Sequence, residues 1–209
     1  MSIKDKIKEN KALKRLTIWL LMPRNQARPR LWVRLLLNPF KHKRGKHTTI
    51  CRSVRNDLLP FRNFSIGSNS TVEDYATLNN GVGDVYIGNN TRIGIGSVII
   101  GPVTVGNDVR FAQNVVCSGL NHGYQDVTTP IWKQPVTTSE IIIGDETWIG
   151  SNSVVVAGVT IGKHSVIAAG SVVTRSIPDY CVAGGNPAKI IKQYNPATQT
   201  WEKPIQVAL

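Results

Sequence analysis

The sequence is short of the residues that mark several common classes of protein. Among 209 residues there are three cysteines, Cys51, Cys117 and Cys181. An odd number without C-x-x-C spacing suggests neither a disulfide framework nor a thiolate zinc site and fits a reducing cytosol. Aromatic residues make up 7% and charged residues 18%, whereas glycine numbers 18 and the apolar residues are mostly Ile and Val. That balance points away from helical bundles and toward β structure. The opening stretch, MSIKDKIKENKALKRLTIWLLMPR, has an apolar run of only about seven residues, against the ~20 needed to span a bilayer, and lacks the order of a signal peptide. Acidic residues are scarce at one end only. Residues 1–62 hold 17 Lys or Arg against Asp5, Glu9 and Asp57, net +14, and residues 63–209 hold 8 bases against 10 acids, net −2. The overall +12 therefore belongs to an N-terminal segment and does not mark the whole chain as a nucleic-acid binder. An apolar share of 41% is enough for one sizeable core.

From residue 66 the sequence repeats with a period of six. Aliphatic positions recur at Ile66, Val72 and Leu78, then at Ile87, Ile93, Ile99, Val105, Phe111 and Cys117, and again at Ile143, Ile149, Val155, Ile161, Ile167 and Val173; thirteen of these fifteen are Ile, Val or Leu. Glycine follows seven of them directly, as at Gly67, Gly144 and Gly150, and two residues before them the side chain is usually small or β-branched, as at Ser70, Thr91 and Ser153. On a helix such residues would lie ~600° apart and smear round the surface. A chain making one short strand and one turn every six residues returns each of them inward, and three hexads close a triangular coil. Glycine then suits tight backbone and the small residues suit crowded corners, with Ile143 under Ile161 and Ile149 under Ile167. An ordinary β-sandwich has no reason to keep this phase.

The phase breaks twice. Three extra residues enter between Leu78 and Ile87, in LNNGVGDVYIG, and the 26 residues from Cys117 to Ile143 force SGLNHGYQDVTTPIWKQPVTTSE out of the prism as a loop. Long loops on rigid scaffolds often carry function. That loop holds His122, whose imidazole, with an ordinary pKa of ~6.5, can act as a general base. His42, His47 and His164 read as surface residues, and Cys117, on the inward phase, as a buried apolar residue rather than a nucleophile. The three converging histidines of a zinc carbonic anhydrase are missing from the coils. In the N-terminal segment, KDKIKENKALKRLTIWLLM reads as a helix ending before Pro23, with Ile7, Leu13, Leu16 and Leu20 on one face. Such a basic amphipathic helix suits an anionic membrane surface, or packing on the prism or on a neighbouring subunit.

The hexad array, the looped-out His122 and the run WIGSNSVVVAGVTIGKHSVIAAGSVVTRSIPDYCVAGGNPAKIIKQY closely resemble the hexapeptide-repeat acyltransferases of the maltose, galactoside and xenobiotic O-acetyltransferase type. The match covers roughly residues 63–195, and bacterial capsular and exopolysaccharide O-acetyltransferases look closest. The resemblance implies an all-β fold, a left-handed parallel β-helix of about five coils. It divides the chain into a basic segment over 1–62, a catalytic domain over 63–180 with its loop at 118–140, and a tail over 181–209 that helps bind coenzyme A. It implies an acetyl-CoA-dependent O-acetyltransferase, without a metal, that modifies a saccharide hydroxyl in the cytoplasm, with His122 as base and no acyl-enzyme. A small xenobiotic or an amino sugar as acceptor, or a scaffold without chemistry, stand as alternatives. Trp148, Ser151, Ala169, Thr174 and Arg175 match the coenzyme groove, with Arg175 where lysine is common. Lys189 and Lys192 match cations near the coenzyme phosphates, and Asn79, Asn80 and Asp84 match the acceptor region. Partners implied are two further copies in a homotrimer, a saccharide, and peripheral membrane contact through residues 1–62, with no nucleic acid.

Overall fold

A computed structural model describes residues 10–204. Strands of two or three residues pair in parallel into three sheets, so the chain winds as a triangular β-solenoid. Face one has six strands: Lys43–Arg44 (β1), Phe64–Ile66 (β4), Val85–Ile87 (β7), Val103–Val105 (β10), Ile141–Ile143 (β15) and Thr160–Ile161 (β18). Face two starts with Thr49–Ile50 (β2), Thr71–Val72 (β5), Arg92–Ile93 (β8), Arg110–Phe111 (β11), Trp148–Ile149 (β16) and Val166–Ile167 (β19). Face three consists of Arg55–Asp57 (β3), Thr77–Asn79 (β6), Val98–Ile100 (β9), Val116–Ser118 (β12), Val154–Val156 (β17) and Val172–Val173 (β20).

The described residues form six coils, not about five, and the first begins at Lys43, twenty residues ahead of the boundary expected at 63. In register, Arg44 lies beside Ile66, Ile50 beside Val72 and Asn56 beside Leu78. Arg and Asn thus occupy two of the three positions that carry the aliphatic signal elsewhere, which hid this coil from the hexad count. Past residue 180 face two continues through Cys181–Gly185 (β21), which reverses into Ala188–Asn195 (β22) and Thr200–Glu202 (β23).

The inward columns are those the repeat predicts. Ile66, Ile87, Val105, Ile143 and Ile161 stack on face one, and Leu78, Ile99, Cys117, Val155 and Val173 on face three, all buried. Ile149 lies beneath Ile167. The small residues two places earlier also tie coils together. The Ser70 hydroxyl donates to the Gly88 carbonyl at 2.8 Å and accepts from Thr91 N–H at 3.0 Å, and Thr91 repeats the pattern with Gly106 and Val109. These hydroxyls satisfy backbone groups at corners where the strand ladder lapses. The glycine after each aliphatic residue answers to stacking, not to backbone freedom: a Cβ on Gly150 would stand 2.5 Å from the Ala169 nitrogen one coil above. Left-handed backbone falls two residues later, at Asn69, Asn90, Asp108, Glu146 and His164 on one corner and at Gly96, Asn114, Asn152 and Gly170 on the next. Asn, Asp and Gly carry that conformation at least cost.

Extra chain leaves the prism along a single edge. Register pairs Lys43 with Ser65, Ser65 with Tyr86, Tyr86 with Thr104, Thr104 with Ile142 and Ile142 with Thr160, so the steps between coils are 22, 21, 18, 38 and 18 residues. The corners from face one to two and from two to three keep constant length. Every surplus residue therefore sits between face three and face one, at 58–63, 80–84 and 119–140.

Ahead of the prism, Lys11–Leu21 forms helix α1, capped by the Asn10 side chain, which accepts from Ala12 N–H at 3.0 Å and Leu13 N–H at 3.1 Å. A π-helical turn, Val33–Leu37, runs into the short helix α2, Asn38–Lys41. The Asn38 amide donates to the Leu58 carbonyl at 2.8 Å, and His42 meets the Leu59 carbonyl at 3.3 Å, which moors this segment to the first coil. Burial lowers the His42 pKa, so this ring, half-buried and set edge-on to Phe64, is part of the junction and not a surface histidine. No residue of α1 is buried. Ile7 lies outside the described residues.

Candidate functional site

The 119–140 excursion is a stiff arm. Leu120–His122 (β13) pairs antiparallel with Val136–Thr138 (β14), with His122 opposite Val136. Farther out, Gln134 is buried, and its amide donates to the Asp126 and Thr129 carbonyls at 2.8 Å each while its oxygen accepts from Asp126 N–H at 3.2 Å. Hydrogen bonds from the Thr128 side chain and backbone hold the Asp126 carboxyl down to about 2. His122 is exposed, and no other described residue hydrogen-bonds its ring. The arm thus presents an imidazole whose two nitrogens are available to groups outside its own chain.

Two coils toward the N-terminus, on the same edge, lies a preorganised carboxylate. Asp84 accepts from Asn63 N–H at 2.9 Å, from the Asn63 amide at 2.7 Å and from the Tyr86 hydroxyl at 3.0 Å. Burial alone would raise its pKa, but these bonds and the nearby Arg62 outweigh it and hold the carboxyl below its ordinary value. Asn79 sits at the end of face three with its side chain closing a turn onto Gly81 N–H at 2.7 Å. Asn80 departs from its expected place at the acceptor. It is fully buried, accepting from Leu59 N–H at 2.6 Å and donating to the carbonyls of Leu59 at 3.1 Å, Arg62 at 3.3 Å and Asn63 at 3.4 Å. Its amide is spent on the 58–63 turn, and it serves Asp84 only by fixing Asn63.

The expected coenzyme residues divide between two edges. Ser151 and Ala169 occupy successive turns of the corner from face two to face three, joined by Gly170 N–H to the Ser151 carbonyl at 2.8 Å, with Ser151 donating to Gln113 at 2.9 Å. Trp148 stands half-exposed on face two beside that corner, flanked by Arg110 and Val166. Lys189 pairs with Gly184, which lies against Ala168, and so extends this corner upward. Lys192, opposite Val182, is displaced along face two away from it. Thr174 and Arg175 lie instead on the edge from face three to face one, above the His122 arm. About five residues of face three, roughly 15 Å of strand, separate the two edges. One chain does not bring His122 together with Ser151, Ala169 and Trp148.

The residues that sequence reasoning missed are supports: Asn63, Tyr86, Gln113 and Gln134. The D-x-T turn at Asp126 was a readable signal for the Gln134 brace; Tyr86 bonds Asp84 only two residues away, and Asn63 and Gln113 act through Asp84 and Ser151, 21 and 38 residues distant, and left none. Clefts of about 980 Å³, beside Trp19 and Arg24, and about 680 Å³, beside Arg34 and Leu58, are lined by the N-terminal segment and first coil, and neither contains His122. Among the described residues no three His, Cys, Asp or Glu side chains gather to hold a metal. Cys117 is wholly buried and its thiol is pushed up to about 12 by burial, a poor nucleophile.

The family model for bacterial transferase hexapeptide (six repeats) matches residues 84–119 and 140–175, leaving out the arm that carries His122. The galactoside O-acetyltransferase of Escherichia coli K12 is 32% identical over 171 residues, 79% of this chain and 79% of that protein. A maltose O-acetyltransferase from Clostridium difficile 630 is similar in structure, with a TM-score of 0.52 at 25% identity, over 90% of this chain and 87% of that one. AntD, an N-acyltransferase from Bacillus cereus crystallised with dTDP and 3-hydroxybutyryl-CoA, shares the fold with a TM-score of 0.66 at 21% identity, over 79% of this chain and 90% of that one.

Proposed function

We propose, from the premise that this chain belongs to the hexapeptide-repeat acetyltransferases, that it moves the acetyl group of acetyl-CoA to a hydroxyl of a saccharide, with His122 as general base. The observation that carries the reading is His122 itself: an imidazole held out on a braced arm, free of partners among the described residues, on the edge that also holds the Asp84 carboxylate. In this reading an imidazole nitrogen takes the proton of the acceptor hydroxyl as its oxygen attacks the thioester carbonyl. The C–S bond breaks, the ester forms, and the proton returns to the coenzyme sulfur, so no acyl-enzyme is needed. Asp84, kept ionised by Asn63 and Tyr86, hydrogen-bonds acceptor hydroxyls.

The division of the site between two edges favours a closed trimer, in which the His122 edge of one copy faces the Ser151–Ala169 corner of the next. Pantetheine amides would pair with the exposed corner backbone there, and Arg175 and Lys189, both exposed, would meet the coenzyme phosphates. Three free thiols, two of them buried, fit the cytoplasm. Galactoside and maltose O-acetyltransferases among its relatives support oxygen as acceptor atom, and likeness to an N-acyltransferase keeps an amino sugar as the second reading. The test is to supply acetyl-CoA with a panel of sugars and amino sugars and treat the products with mild alkali. Alkali-labile acetyl on a saccharide, lost in His122→Ala, is expected; alkali-stable acetyl formed only on amines would overturn O-transfer.

A further inference from the structure

The N-terminal segment presents a surface that the other described residues do not cover. On α1 and the turns after it Leu16 is 52% exposed, Trp19 49%, Leu35 62%, Leu36 63% and Phe40 88%. An apolar patch of this kind marks a docking surface. Its chemistry is one-sided: residues 10–56 contain 13 Lys or Arg and not one Asp or Glu. The fold holds it in shape. Arg30 donates through Nε to the Trp19 carbonyl at 3.0 Å and lies over the indole, 5.3 Å from the ring centroid, while Arg30 N–H reaches the Leu21 carbonyl at 2.9 Å. The cleft of about 680 Å³ beside it combines Leu31 and Leu35 with Arg34, Lys43 and Arg44, an apolar wall next to three cations.

We propose that residues 13–44 dock on an anionic phospholipid surface, with Leu16, Trp19, Leu35, Leu36 and Phe40 at the acyl boundary and a headgroup phosphate in the cleft between Arg34, Lys43 and Arg44. Exposed leucines and aromatics ringed by cations are the composition of a segment lying in the bilayer interface. Nucleic acid would use the cations and leave the leucines in water. A second copy of this chain would bring the same uncompensated positive charge against itself. No described helix is long and apolar enough to cross a membrane, so the contact is a surface one.

The experiment floats the full chain on vesicles of phosphatidylcholine with about one third phosphatidylglycerol, and on pure phosphatidylcholine. Strong binding to the first, weakened by salt, and quenching of Trp19 and Trp32 fluorescence by brominated acyl chains are expected. Leu35→Ser with Phe40→Ser lowers binding about tenfold or more, and Arg34→Gln with Arg44→Gln lowers it on anionic vesicles only, both with unchanged transfer to a soluble acceptor. Equal binding to the two vesicle types, or no quenching of either tryptophan, overturns the proposal. So does a double-serine variant that binds vesicles as the parent does but has a smaller oligomer by light scattering, which assigns the patch to a second copy.

Discussion

Replacing Asn80 by alanine tests whether this residue is a staple or an acceptor contact. The substitution leaves the Leu59 N–H, bonded at 2.6 Å, without a partner among the described residues, whereas the Leu59 carbonyl, bonded to Asn80 at 3.1 Å, keeps His42 and the Arg62 N–H at 3.3 Å. The bonds to Arg62 and Asn63 are long and contribute less. An orphaned buried polar group costs about 1–3 kcal/mol, and the single one left here, the Leu59 N–H, sets the expected loss. In a chain of this size that lowers the melting temperature by about 2–12 °C. Because Asn63 carries Asp84, the acceptor KM should rise as well, with the KM for acetyl-CoA unchanged. Urea titration gives the free energy and steady-state kinetics the KM values. Wild-type stability combined with a raised acceptor KM would refute the staple and return Asn80 to the acceptor.

Four further outcomes follow from the geometry. Gly150→Ala drives a methyl into the backbone of the next coil and should cost about 1–3 kcal/mol, more than Gly170→Ala, where φ is +71° but nothing lies within 4 Å; a reversed order in thermal denaturation would contradict the stacking account. Gln134→Ala frees the arm around Asp126 and should lower kcat about tenfold or more with coenzyme affinity and melting temperature nearly unchanged. Since the Asp126 pKa is depressed to about 2, its contribution to the arm is present above the ordinary carboxylate range and is lost as pH falls toward about 2. Limited proteolysis of the arm at pH 4 should therefore match that at pH 7. Finally, a thiol reagent at pH 8 should label Cys117 only after denaturation, because burial holds its thiol near 12; labelling of Cys117 in the native protein would sink its placement in the column between Ile99 and Val155.

The parts of the fold written as local period were legible and the parts written as contacts were not. Ile66 through Val173 announce the core because each hexad must send one aliphatic residue inward. Arg44 and Asn56 conceal a coil of the same geometry, since strand pairing fixes register through the backbone whatever the side chain. His122 was legible from the broken phase around it. The role of Asn80 was not, because the turn it holds is twenty residues upstream. Nor could the sequence divide the coenzyme residues between two edges: Ser151 and Thr174 differ by less than two coils in sequence, yet a whole face of the prism lies between their corners.

That division bears on the central claim, a site assembled from two copies, and mixing two inactive variants tests it most directly. His122→Ala spoils one edge, and Ala169→Trp, exposed at its corner, fills the other. If each site takes one edge from each of two chains, trimers re-formed from an equal mixture should regain about one quarter of wild-type turnover, because half of the arms and half of the corners are intact and pair at random. If His122 and Ala169 serve a site within one chain, every chain in the mixture carries a lesion and turnover stays at the level of the separate variants.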